Sequence, residues 1–140
     1  MRQLADLRAA DEAEFGGKSA NLGELMAAGL RVPDGFALAG AADDAEVAAA
    51  YAKVGGPVAV RSSAVGEDSA DATFAGMQET FLNVQGAGAV VDAVRRCWAS
   101  LFGARTIAYR ATRGLPQAGM DIAVVVQRQI ASTRSGVMFT

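Results

Sequence analysis

Between Arg61 and Thr80 the chain sets a fixed positive charge, several hydroxyls and glycines between two short apolar runs. Guanidinium groups, hydroxyls and glycine backbone N–H groups are the parts that hold phosphate. The segment shows neither a helical nor an alternating apolar period, and long connections of that kind inside a domain are functional loops or linkers. It is expected to be a ligand loop for an anion. Arg61 follows the apolar run Val58-Ala59-Val60 and is placed at the end of that strand, where an unpaired charge would be costly. Phosphate oxygens suit its forked geometry; an internal bridge to Glu67, Asp68 or Asp71 is the other reading. Gly76 permits close backbone approach and the Thr80 hydroxyl can donate to a phosphate oxygen, although a turn glycine and a strand threonine fit equally.

Two further residues carry chemical interest. Lys18 follows Gly16-Gly17 and precedes Ser19, at the start of a helical pattern. A phosphate-binding Walker loop would need another glycine at position 12, which is Glu, so that motif is excluded. A lysine at a helix start can still meet an anion alongside free backbone N–H groups, or it can be a solvated surface residue. Gln127 interrupts an apolar run, and its amide needs partners if buried; a base or ribose, or solvent at a sheet edge, would supply them. Cys97 lies on an apolar helical stripe beside Trp98 and reads as core packing. The carboxylates at 67, 68, 71 and 79 form no pattern that fixes a metal.

Composition narrows the function classes. The sequence has 140 residues, 13 Lys and Arg against 15 Asp and Glu, and a net charge of −2. With no continuous basic patch, a nucleic-acid face is disfavoured. No apolar run reaches the roughly 20 residues that span a bilayer, and no signal peptide is evident. One cysteine cannot form an internal disulfide, so a cytoplasmic location is the simplest reading. The absence of histidine excludes Ser-His-Asp and Cys-His mechanisms and any phosphohistidine within the sequence.

These residues need a frame. Lys18 to Ala28 carries Leu22, Leu25 and Met26 at helical spacing and stops at Gly29. Pro33-Asp34-Gly35 turns into a short strand through Leu38. Asp43 to Lys53 is a modest alanine-rich helix, broken by Gly55-Gly56-Pro57. Strands are expected at 58–60 and 80–84. Val90, Val94, Cys97, Trp98 and Leu101 mark an amphipathic helix, with a second helix from Gly103 to about Arg113. Ile122 to Ile130 is β-branched and reads as a central strand, with another at 136–140 paired to it. The class is α and β, with helices covering a sheet.

Taken together, Gly16-Gly17-Lys18-Ser19-Ala20-Asn21-Leu22-Gly23-Glu24-Leu25, Val32-Pro33-Asp34-Gly35-Phe36, Val60-Arg61-Ser62-Ser63-Ala64 and Phe74-Ala75-Gly76-Met77-Gln78-Glu79-Thr80-Phe81-Leu82-Asn83-Val84 resemble the N-terminal ATP-binding domain of phosphoenolpyruvate synthases (pyruvate, water dikinases). Ala99-Ser100-Leu101-Phe102, Ala108-Tyr109-Arg110, Val126-Gln127-Arg128 and Ser135-Gly136-Val137-Met138-Phe139 continue the match, which covers most of 15–140. Rifamycin phosphotransferases share nearly the same motifs; pyruvate, phosphate dikinase differs in the glycine loop. The resemblance implies an α+β, ATP-grasp-like nucleotide-binding domain, present in part, with a mixed sheet covered by helices. It implies that Lys18 and Arg61 engage the phosphates of ATP, that Gly76 and Thr80 line the phosphate loop, and that Gln127 lies beside the nucleotide. Mg²⁺ would accompany ATP, with its ligands mostly beyond this sequence.

In the family the phosphoryl group passes to a histidine on a separate domain. It then goes to pyruvate, giving phosphoenolpyruvate, AMP and phosphate, or to a rifamycin hydroxyl. The sequence is therefore expected to be one part of the ATP-binding domain, with the phosphohistidine and acceptor domains beyond Thr140, and to bind ATP weakly or not at all by itself. The stretch between Phe36 and Val58 is shorter than is usual for the family. A non-catalytic nucleotide-binding module is the reading from another functional class.

Overall fold

The computed structural model describes residues 1–64, 79–100, 103, 107 and 122–136. A five-stranded sheet is packed between helices on its two faces. Its strands are β1 (Arg2–Gln3), β2 (Gly35–Ala39), β3 (Val58–Ala64), β4 (Thr80–Val84) and β5 (Ile122–Arg128), in the spatial order β1-β2-β5-β3-β4. Every ladder among these strands is antiparallel, where a mixed sheet was expected. β5 is central, as its β-branched composition indicates. β2 and β3 pair with it on its two sides. A further strand is expected at 136–140. Apart from Gly136, that segment lies outside the described residues.

The helices are α1 (Glu12–Ala27), α2 (Asp44–Val54) and α3 (Ala87–Ala99). Asp43 caps α2 by accepting from the Ala45 N–H at 3.1 Å. Val90, Val94 and Cys97 put α3's buried stripe at i, i+4 and i+7. α2 and α3 cover one face, where Phe36, Leu38, Val47, Val58, Val60, Val90, Val94, Val124 and Val126 form the larger core. α1 and two 3₁₀ turns, Leu4–Asp6 and Ala9–Asp11, cover the other, with Leu4, Leu7, Phe15, Ala37 and Val125. Beyond Gly103, whose N–H donates to the Ser100 carbonyl at 3.1 Å, the expected second helix falls outside the described residues except for Ile107.

α1 departs from its expected form in two ways. It begins at Glu12 and breaks at Gly16, whose φ of 74° and ψ of 158° are not helical; the second run then starts at Gly17, one residue ahead of Lys18. Its buried face is Phe15, Gly16, Ser19, Ala20 and Gly23, whereas Leu25 is 42 % exposed. Small residues at i, i+3, i+4 and i+7 let the helix approach its neighbours closely, while Leu22 and Met26 of the expected stripe pack half-buried against the same core. No described helix is long and apolar enough to cross a membrane.

Candidate functional site

Arg61 lies inside β3, not at its end: the strand runs on through Ser62-Ser63-Ala64 while pairing with β5. Both faces of a strand can be buried when its polar residues are this small, and Ser62 and Ser63 are 1 % and 0 % exposed. The loop expected from Arg61 to Thr80 is therefore shorter at both ends. Thr80 opens β4, and Ser62 N–H donates to the Glu79 carbonyl at 3.0 Å.

Register brings two of the expected residues together. Arg61 is the cross-strand partner of Thr80 on one side and of Val125 on the other. Such partners share a face, with Cα atoms roughly 4.5–5.5 Å apart. Val125 packs with Leu4, Leu7, Phe15 and Ala37, so Arg61 and Thr80 face the α1 side of the sheet. Gln127, two residues beyond Val125 and paired with Ala59 and Gly35, shares that face. Its Nε2 donates to the Pro33 carbonyl at 3.1 Å, so the segment leading into β2, where the sequence suggested a turn, anchors the amide. Arg61 and Gln127 are half-buried and Thr80 is exposed.

Lys18, half-buried, belongs to the second helical run of α1, which packs on β2, β3 and β5. The start of that run rests on β3: a Cβ at Gly16 would overlap Ser63 Oγ and lie 2.9 Å from the Ser63 carbonyl oxygen. Ser63 and Gly16, given no role of their own in the sequence analysis, thus meet at the junction of helix and sheet. Gly16, Ser19, Ala20 and Gly23 at helical spacing were the signal available for it. Gly76 and the carboxylates at 67, 68 and 71 lie outside the described residues.

None of the ion pairs among the described residues involves Arg61; they join Arg2 to Asp11 and Glu14, and Arg95 to Asp44. The Arg8 N–H and the Arg2 side chain, both hydrogen-bonded to Asp11, hold its carboxyl below the usual carboxylate range. A groove of about 680 Å³ runs beside β4 to Asp92 and Arg96 of α3. Thr80 lines it, but Lys18, Arg61 and Gln127 do not. No group of three Asp, Glu or Cys side chains placed to hold a metal ion occurs among the described residues.

Residues 41–140 match the family described as pyruvate phosphate dikinase, AMP/ATP-binding domain. A probable phosphoenolpyruvate synthase of Archaeoglobus fulgidus is 38% identical, over 98% of this chain and 25% of its own length. The phosphoenolpyruvate synthase of Pyrococcus furiosus is 54% identical over 59% of this chain and 10% of its own. A rifampicin phosphotransferase of Streptomyces is 35% identical over 98% of this chain and 22% of its own. The chain thus spans a quarter or less of the length of these relatives. The Archaeoglobus alignment runs to 191 positions against 140 residues here, so the relative carries insertions of tens of residues. The chain belongs to the family of the pyruvate phosphate dikinase AMP/ATP-binding domain.

Proposed function

We propose that this chain forms a phosphate-holding wall of the ATP site in a phosphotransferase of the phosphoenolpyruvate synthase kind. The observation that carries this reading is the pairing of Arg61 with Thr80, on the sheet face that also bears Gln127, in a chain of an AMP/ATP-binding family. Arg61 and Lys18 oppose the charge on the phosphates, and the Thr80 hydroxyl donates to a phosphate oxygen. Gly76 allows the loop backbone close approach. Gln127, its Nε2 held by Pro33, keeps Oε1 for a donor on the base or ribose. Positioning and charge neutralisation are the main demands of phosphoryl transfer. Magnesium bound with the nucleotide would supply further neutralisation there.

With no histidine in the sequence, the phosphoryl group must leave this chain for a carrier histidine elsewhere in the protein. From there it passes to pyruvate, so that ATP, pyruvate and water give phosphoenolpyruvate, AMP and phosphate. The downstream phosphohistidine and acceptor domains are its partners, and the cytoplasm is its place of action. A rifamycin hydroxyl as acceptor is the second reading, favoured by the rifampicin phosphotransferase that aligns over 98% of this chain. The test uses the intact gene product, with ATP consumption followed as AMP in the presence of pyruvate or rifampicin. Pyruvate-dependent AMP supports the first reading and rifampicin-dependent AMP the second; AMP dependent on neither removes both. Arg61→Ala is expected to weaken ATP binding on the order of 10- to 100-fold, the loss of charge-assisted hydrogen bonds. An unchanged affinity would overturn Arg61's role.

A further inference from the structure

We infer that the contact of Gly16 on Ser63 is a latch that sets the separation of Lys18 and Arg61, making Gly16 and Ser63 positioning residues for the ATP site. The inference rests on the ATP reading only for its effect on binding. Its geometry stands apart from it. Gly16 breaks α1 with φ 74° and ψ 158°, a conformation closed in practice to residues with a side chain. Directly beneath it lies Ser63, 0 % exposed, against which any Cβ at position 16 would collide. Lys18 lies two residues after the contact on α1, and Arg61 two residues before it on β3. Arg61 also shares Ser63's sheet face, because side chains alternate along the strand. A shift of the backbone at Lys18 relative to that at Arg61 would strain this contact.

A second close approach holds the same helix farther along. A Cβ at Gly23, seven residues after Gly16 and on the same helix face, would overlap the Leu7 carbonyl and lie 2.8 Å from the Leu4 carbonyl oxygen. The helix is thus fixed at two points, against the sheet and against the 3₁₀ turns. Ser63 Oγ has no hydrogen-bond partner in this contact, so it is bulk and not bonding that the serine contributes. A residue one size larger should lift the start of the helix from the sheet, whereas one no larger should not.

Two measurements separate the latch from the ATP reading. Spin labels at Lys18→Cys and Arg61→Cys report the separation without nucleotide; the native Cys97, fully buried, stays unlabelled. Ser63→Val is expected to lengthen that separation, and Ser63→Ala to keep it. In the intact gene product Ser63→Val should weaken ATP on the order of tenfold or more, since small misplacements of binding groups are costly. It should do so at temperatures well below its melting transition, where a merely structural defect leaves the dissociation constant alone. Gly16→Ala is the second variant, should Ser63→Val fail to fold. An unchanged label separation in the folded variant overturns the latch. So does an equal loss of affinity in Ser63→Ala and Ser63→Val, which would assign the effect to the hydroxyl. A wild-type protein that binds no ATP removes the functional reading, while the label distances still decide the latch.

Discussion

Cys97 and Ser19 are both fully buried, yet one side chain suits its site and the other does not. Burial pushes the Cys97 thiol up to about 12, the charge of Glu79 adds to the rise, and Arg96 opposes it. The folded pKa lies above the unfolded one, so this contribution to stability is complete below about pH 9 and is lost as pH rises toward about 12. Melting followed across that window should show a shallower decline for Cys97→Ala than for wild type, after correction for its lower starting stability. Equal slopes would mean the thiol is not the group responsible. Ser19 is the converse case, a hydroxyl without a hydrogen-bond partner. Leaving such a group unsatisfied costs about 1–3 kcal/mol, so Ser19→Ala should be neutral or stabilising in a denaturant titration. A loss of more than about 1 kcal/mol would show that the hydroxyl is satisfied after all. The fate of Cys97 was legible in the sequence because the apolar stripe around it has a helical period. That of Ser19 was not, since its burial depends on a close helix approach that only the glycine break creates.

At the level of elements, the β3–β4 ladder is where sequence and structure diverge most usefully. The apolar runs at 58–60 and 80–84 mark both strands, but Arg61 to Ala64 carries no apolar signal and still pairs with β5. Neighbouring β5 decides this, since its exposed backbone groups need partners whatever side chains face them. β4 takes one extra residue between the Val58–Val84 and Val60–Phe81 pairs. Asn83 carries the resulting strain with φ 55°, while Phe81 and Val84 both stay packed against the larger core. Arg96 lies over the Phe81 ring at 4.2 Å and ties this edge strand to α3. Asparagine tolerates the left-handed region, and a β-branched residue does not. Asn83→Val should therefore destabilise the chain by about 1–2 kcal/mol, and Asn83→Gly much less. Comparable losses in the two variants would show that it is the Asn83 side chain, not its backbone, that matters. The bulge also has a functional side, because the Arg61–Thr80 pair lies just beyond it and depends on the register that it sets.

Across the whole molecule, the late strand β5 holds the early ones together. The order β1-β2-β5-β3-β4 cannot be read from periodicity, which locates strands but not their neighbours. It leaves β2 and β3 without a shared ladder, each pairing with β5 on one side. Ile122 to Val126 is buried throughout, and Val124 and Val126 belong to one core while Val125 belongs to the other. Burying four large aliphatic side chains is worth on the order of 6–12 kcal/mol. A domain's entire net stability is about 5–15 kcal/mol. Removing residues 122–140 should therefore abolish cooperative folding instead of trimming an edge. The full chain should show a single thermal transition by circular dichroism and calorimetry, and the 1–121 piece none. The same deletion removes Val125 and Gln127, and with them the strand that aligns Arg61 opposite Thr80 on the α1 face. A 1–121 piece that melted cooperatively with the enthalpy of the full chain would show that the two halves of the sheet do not need β5.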